Sequence, residues 1–99
     1  MRIAPIPPEA KDDPDSIEVV RGWIINGGLQ ISIAAWVWRN EPETWGRFLA
    51  EAAGHVADAI SKELGSDRAQ VYAKIHERLV KDLDDPPREL TGDFVDRTQ

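Results

Sequence analysis

The sequence predicts an α+β fold: an N-terminal antiparallel β-hairpin followed by two antiparallel α-helices. Three observations predict it. Two runs of β-branched and aromatic residues flank Asn26-Gly27-Gly28. An apolar stripe with three- and four-residue spacing then runs from Trp45 to Leu64, and a second such stripe runs from Ala69 to Leu83.

The first fifteen residues hold Pro5, Pro7, Pro8 and Pro14 among Lys11, Asp12, Asp13 and Asp15. Repeated fixing of φ and little to bury predict an extended leader over residues 1–15, with Ile3 and Ile6 free to lie along a groove. A single α+β domain is expected over residues 16–87.

Within it, Ile17 to Asn26 (IEVVRGWIIN) and Leu29 to Trp38 (LQISIAAWVW) read as strands. Between them, a two-residue turn at Asn26-Gly27 or Gly27-Gly28 supplies the positive φ that a hairpin needs. Either turn gives the same faces. Val20, Gly22 and Ile24 join Leu29, Ile31 and Ile33 on an apolar face suited to covering by helices. Arg21, Trp23 and Ile25 join Gln30, Ser32, Trp36 and Trp38 on the other. A three-residue turn would bring Arg21 inward and ranks second.

The next element starts at Asn40-Glu41-Pro42-Glu43, where Asn40 is expected to cap, Pro42 suits a first turn and Glu43 completes a capping box. Trp45, Phe48, Leu49, Ala52, Ala53, Val56, Ile60 and Leu64 form its apolar stripe, and Gly65 stands where a left-handed cap belongs. Gly46 and Gly54 inside it suggest close packing against another backbone. Ser66 or Asp67 caps the second helix, whose stripe is Ala69, Tyr72, Ile75, Leu79, Val80 and Leu83, until Asp84-Asp85-Pro86-Pro87 ends it. The polar tail over 88–99 carries Leu90, Phe94 and Val95, able to anchor it or to add a short edge strand.

Composition narrows the function. With 99 residues, 41% hydrophobic and 30% charged, the chain suits one modest folded core. Twelve Lys and Arg against eighteen Asp and Glu leave a net charge of -6, which repels phosphate backbones and anionic lipids. Neither nucleic acid nor a membrane is therefore an expected partner. The absence of cysteine excludes disulfides, thiolate metal sites and a Cys nucleophile. Met1-Arg2-Ile3-Ala4-Pro5 lacks a secretory signal, and a cytoplasmic protein is expected.

Catalytic patterns are missing from the sequence. Ser16, Ser32, Ser61 and Ser66 lack a GxSxG or SxxK setting, and no GxGxxG or GxxxxGK[ST] surrounds Gly27-Gly28. His76 projects into the apolar stripe of its helix, where a packing role with a polar partner is expected and a proton acceptor at a pocket floor is the sharper reading. His55 lies within reach of Asp58 one turn on. No HxxxH, HxH or HExxH spacing joins the histidines, so no metal and no cofactor is expected. Trp23, Trp36 and Trp38 on one hairpin face are costly to leave wet; the leader, the tail or a second copy of the chain is expected against them.

The pattern IEVVRGWIINGGLQISI followed by PETWGRFLAEAAGHVADAI resembles, over about residues 17–80, a family of short bacterial proteins known only as a domain of unknown function. That resemblance implies an α+β fold in a bacterial cytoplasm and assigns no activity. Two functional expectations follow. The first is a homodimeric interaction or assembly module without catalysis, its sheet or tryptophan face completed by the partner. The alternative is a small-molecule-binding protein or enzyme with a pocket between hairpin and helices, using Arg21, Trp23, Trp36 or Trp38 with His55 or His76.

Overall fold

The structure, a computed structural model, describes residues 1–86 and the backbone of residues 94–96. Its elements are α1 (Pro8–Asp12), β1 (Val20–Ile25), β2 (Gly28–Ile33), a 3₁₀ turn (Ala35–Trp38), α2 (Glu43–Leu64), α3 (Arg68–Asp84) and β3 (Phe94–Asp96). The fold is α+β, a β-hairpin followed by two long helices. The chain divides into two compact units: Met1–Val37 with Thr91–Gln99, and Trp38–Leu90.

In the first unit, β1 and β2 pair antiparallel with Ile25 opposite Gly28, so the turn residues are Asn26 and Gly27. Their φ values of 51° and 79° satisfy a type I′ turn, whose twist matches that of the strands. The register places Val20 opposite Ile33, Gly22 opposite Ile31 and Ile24 opposite Leu29, the apolar face expected from the sequence. Ala34 N–H donates to Val19 carbonyl at 2.9 Å, fixing the parity of the ladder. Odd residues of β1 therefore bond to β2, and the N–H and C=O of Val20, Gly22 and Ile24 point outward.

β3 adds a third strand, parallel to β2, with Ile31 opposite Phe94 and Ile33 opposite Asp96. The order β1-β2-β3 leaves β1 at an edge. Leu90 lies outside the described residues.

Two boundaries differ from the sequence reading. The leader is not extended throughout, since Pro8 and Glu9 suit a first helical turn and Pro8–Asp12 forms a short helix. β2 also stops at Ile33 rather than reaching Trp38. Ala34 and Ala35 have low β propensity, and the backbone tightens there, with Val37 N–H donating to Ala34 carbonyl at 3.1 Å.

In the second unit, α2 begins three residues after the expected cap. Pro42 occupies its N-cap position without a side-chain bond, and Asn40 does not cap it. Glu41 instead donates its N–H to Trp38 carbonyl at 3.0 Å, extending the preceding turn. Gly65 closes α2 with φ 64°, and Asp67 caps α3 by accepting from the Ala69 N–H at 3.0 Å.

α2 and α3 pack as a helical hairpin. Its most buried residue is Ala57, with no accessible surface, whereas Leu49, Val56 and Leu64 from the expected stripe are exposed. The glycines of α2 do not serve backbone packing. A Cβ on Gly46 would meet nothing within 4 Å, and one on Gly54 would meet only the Arg68 guanidinium at 3.7 Å.

Candidate functional site

Three side-chain groupings stand out, one in the sheet unit and two in the helical unit. The first forms where the leader runs beside β1. Residues 2–7 and 16–18 flank the strand at residues 20–23 and enclose a half-open cavity of about 550 Å³. Glu18 precedes β1 and meets Arg21 three residues on, with Nε to Oε1 at 2.8 Å and Nη2 to Oε2 at 2.9 Å. This two-point contact raises the Arg21 pKa, chiefly through the hydrogen bond, and sets its guanidinium plane. The guanidinium carbon lies 5.8 Å from the centre of the Trp23 ring, within cation–π range. A second cavity, about 350 Å³, lies beside Trp36, Ser32 and Ile33.

The second grouping is aromatic. Trp38 meets Trp45 edge-on with ring centroids 4.9 Å apart, and Phe48 lies 5.9 Å from Trp38 and 5.7 Å from Trp45. All three are half-buried. Trp45 and Phe48 occupy the first two turns of α2, and the 3₁₀ turn delivers Trp38 to them. The quadrupoles of the rings favour this edge-to-face arrangement.

The third grouping is polar and lies on the helical hairpin. Asp58 of α2 pairs with Arg68 at the start of α3. Arg68 lies 5.6 Å from the centre of the Tyr72 ring, and the His76 ring stacks on Tyr72 with centroids 6.2 Å apart at 28°. Residues 68, 72 and 76 recur every four positions, so one helix face forms the column. The Arg68 hydrogen bond is the main cause of a lowered Asp58 pKa, with smaller contributions from the charges of Arg68, Lys62 and His55.

Lowering a carboxyl pKa in the folded state stabilises that state above the ordinary value of 3.8, and the contribution is lost as pH falls through the lowered value. The Asp58→Asn variant is therefore expected to lose less stability than the parent on acidification below about pH 4. Thermal melts across that interval check it.

The residues expected to act together are divided among these groupings. Arg21 and Trp23 line the leader groove, Trp36 lines the smaller cavity, and Trp38 belongs to the aromatic trio. Trp36 and Trp38 do not stand on the strand beside Trp23, because β2 ends at Ile33 and both lie in the 3₁₀ turn. His76 is exposed and stacked on Tyr72 rather than set into the apolar stripe, since the interior of α3 is carried by Val71, Tyr72, Ile75 and Leu79. His55 is exposed as well, and Asp58 bonds to Arg68 in its place.

Sequence reasoning did not single out Glu18, placed Phe48 in the helix stripe without joining it to Trp38, and missed the Arg68–Tyr72 contact. Their signals were present in the three-residue spacing of Glu18 and Arg21 and of Trp45 and Phe48, and in the four-residue spacing of Arg68 and Tyr72. Among the described residues, no group of three His, Asp or Glu side chains is placed to hold a metal, and no helix is long and apolar enough to cross a membrane.

No curated protein sequence matches the chain. A solved structure from the photosynthetic bacterium Rhodopseudomonas palustrus CGA009, described as a "putative pyruvate dehydrogenase", is similar to it. The two share 29% identity and a TM-score of 0.72 over 100% of this chain and 97% of that one. The similarity thus extends over the hairpin, the helices and the segments that line the groove. A family's sequence pattern also matches residues 4–87, from the leader to the end of the helical hairpin, and the chain belongs to that family, described as Domain of unknown function (DUF5076).

Proposed function

We propose that this protein is a non-catalytic interaction module that works as a homodimer, its two copies joined along the outer edges of β1. The observation that carries this reading is the open ladder edge of β1, above all at Ile24 and Ile25 beyond the residues that the leader flanks. Among the described residues, no hydrogen bond engages the outward N–H groups of Val20, Gly22 and Ile24. Edge strands are ordinarily blunted by charge, proline or a bulge; the segment VRGWII has no proline, and its one charge, Arg21, is paired with Glu18. Ile24 is 83% exposed at its tip and Ile25 and Leu29 are exposed beside it. Antiparallel pairing of two β1 strands about a two-fold axis would satisfy the open amides and cover these side chains in one step.

The small described interior supports the same reading. Among the described residues, only Ala34 and Ala57 are buried hydrophobics, while Leu49, Val56, Val80 and Leu83 of the helical hairpin also face solvent. Exposed apolar surface of this kind favours association. The similar Rhodopseudomonas protein agrees with a bacterial setting. Its description supplies a second reading, activity on pyruvate. The described residues offer neither a nucleophile paired with a base nor a phosphate cradle for such chemistry, so the dimer reading stands first.

Sedimentation from about 1 to 100 µM tests it, a range that brackets micromolar dimers. The parent is expected to dimerise, and Ile24→Lys to weaken the dimer at least about 100-fold by placing two ammonium groups at the paired edges. Trp23→Arg, on the opposite face, is expected to change it less. A parent that stays monomeric throughout, or an Ile24→Lys variant that dimerises as tightly as the parent, overturns the proposal.

A further inference from the structure

The leader groove has the make-up of a binding site, and it lies wholly within the sheet unit. Its walls are apolar: Ile3 and Ile6 from the leader, Ile17 before β1, and Val20 and Trp23 on the strand. Ile3, Ile6 and Ile17 are all exposed, so the apolar lining is in contact with water and offers area to a ligand. At about 550 Å³ the cavity falls in the range of sites that enclose one small organic molecule.

The polar groups of the groove have a sign. Among the described residues, Arg2 and Arg21 line it together with one carboxylate, Glu18. Glu18 engages Nε and Nη2 of Arg21. Arg21 Nη1 carries no described bond, and no described ion pair engages Arg2. One guanidinium is thus held in a fixed plane by a carboxylate and an indole, with Nη1 outside any described bond, and a second lines the groove with no described ion pair. Held planar donors beside an apolar wall recognise an oxyanion joined to an apolar body. This local excess of positive charge opposes the net charge of -6 of the whole chain.

We propose that the groove between the leader and β1 binds a small apolar or aromatic monocarboxylate, its carboxylate on Arg21 and Arg2 and its apolar part against Trp23, Ile6 and Ile17. Every described lining residue comes from one chain, but the groove borders residues 20–23 of the strand that the proposed dimer pairs, so binding is read in the Ile24→Lys variant as well as in the parent. The site also gives the proline-rich leader a role as one wall of a pocket.

The test uses 4-phenylbutanoate and its neutral counterpart 4-phenylbutanol, titrated into the intact protein while the tryptophan indole N–H signals are followed by NMR. The acid is expected to shift the Trp23 signal saturably and to leave those of Trp38 and Trp45 in place. The alcohol is expected to bind about tenfold more weakly, as the loss of one charged hydrogen-bonding contact implies. Arg2→Gln, at a position remote from any packed interior, and Arg21→Lys, which keeps the charge and loses the planar fork, are each expected to reduce that preference. Ile6→Asp is expected to abolish binding of both probes.

Three results overturn the proposal: no saturable shift of Trp23 by about 5 mM acid, above the roughly millimolar limit of weak specific binding; equal binding of acid and alcohol; or an acid preference that survives both arginine variants.

Discussion

Replacing Ala57 with aspartate is expected to lower the free energy of unfolding by about 3–4 kcal/mol, the cost of placing an uncompensated charge where water does not reach. Ala57 has no accessible surface, and no other described residue of the two helices is as deeply enclosed. A larger side chain must push the helices apart, and a charged one must also shed its hydration. Domains of this size hold about 5–15 kcal/mol in total, so such a loss brings the helical hairpin close to melting at growth temperature. Urea unfolding followed by far-UV circular dichroism reads the change, with Ala57→Ser as a milder control expected to cost about 1 kcal/mol. A loss under 1 kcal/mol for the aspartate variant would show that the helices part at this point without penalty.

The second large effect is expected at Trp45. It is the common neighbour of Trp38 and Phe48, at centroid distances of 4.9 and 5.7 Å. Truncation to alanine removes both aromatic contacts and the area they cover. Full burial would make this worth about 3–5 kcal/mol, and half-burial brings the expected loss to about 2 kcal/mol. The near-UV dichroism of the paired indoles should collapse, and amide exchange in the first turns of α2 should quicken. In a double-mutant cycle with Trp38→Phe, a coupling of about 0.5–1.5 kcal/mol is expected; additive losses would mean that the edge-on geometry contributes nothing beyond area.

Much of the fold could be read from residues whose chemistry permits one local answer. Asn26-Gly27 sets the hairpin because both residues tolerate positive φ, and the register of β1 and β2 follows by counting outward. Gly65 and Asp67 mark the junction of α2 and α3 for similarly local reasons. What the sequence left ambiguous depends on tertiary partners. LQISIAAWVW is β-rich as far as the two alanines and stays aromatic after them, and the packing of Trp38 on Trp45 and Phe48, which pattern alone does not reveal, accompanies its departure from the strand.

The interior of α2 eluded a reading by hydrophobicity because the buried position belongs to alanine. Close approach of two helices favours the smallest side chain, and the bulkier Leu49 and Val56 are set outward. For the candidate site, Arg21 and Trp23 were legible as an unusual pair. The groove was not, since its other wall comes from a leader that composition marks as having little to bury. His76 drew notice for the wrong surroundings: its helical position was clear, whereas its stacking on Tyr72 at the surface depends on which face of α3 turns inward.

The parallel pairing of β3 with β2 bears on the order in which the molecule assembles. β1 and β2 meet across a two-residue turn, whereas Ile31 and Phe94 meet only after the chain has traversed both helices. The entropy lost in closing a loop grows with its length, so the hairpin and the two helices have short routes to their contacts and the last strand has a long one. Refolding should therefore show two generations of protected amides in β2, those bonded to β1 early and those facing β3 late. The sheet forms outward from its turn, and the far end of the chain arrives at a partner already in place.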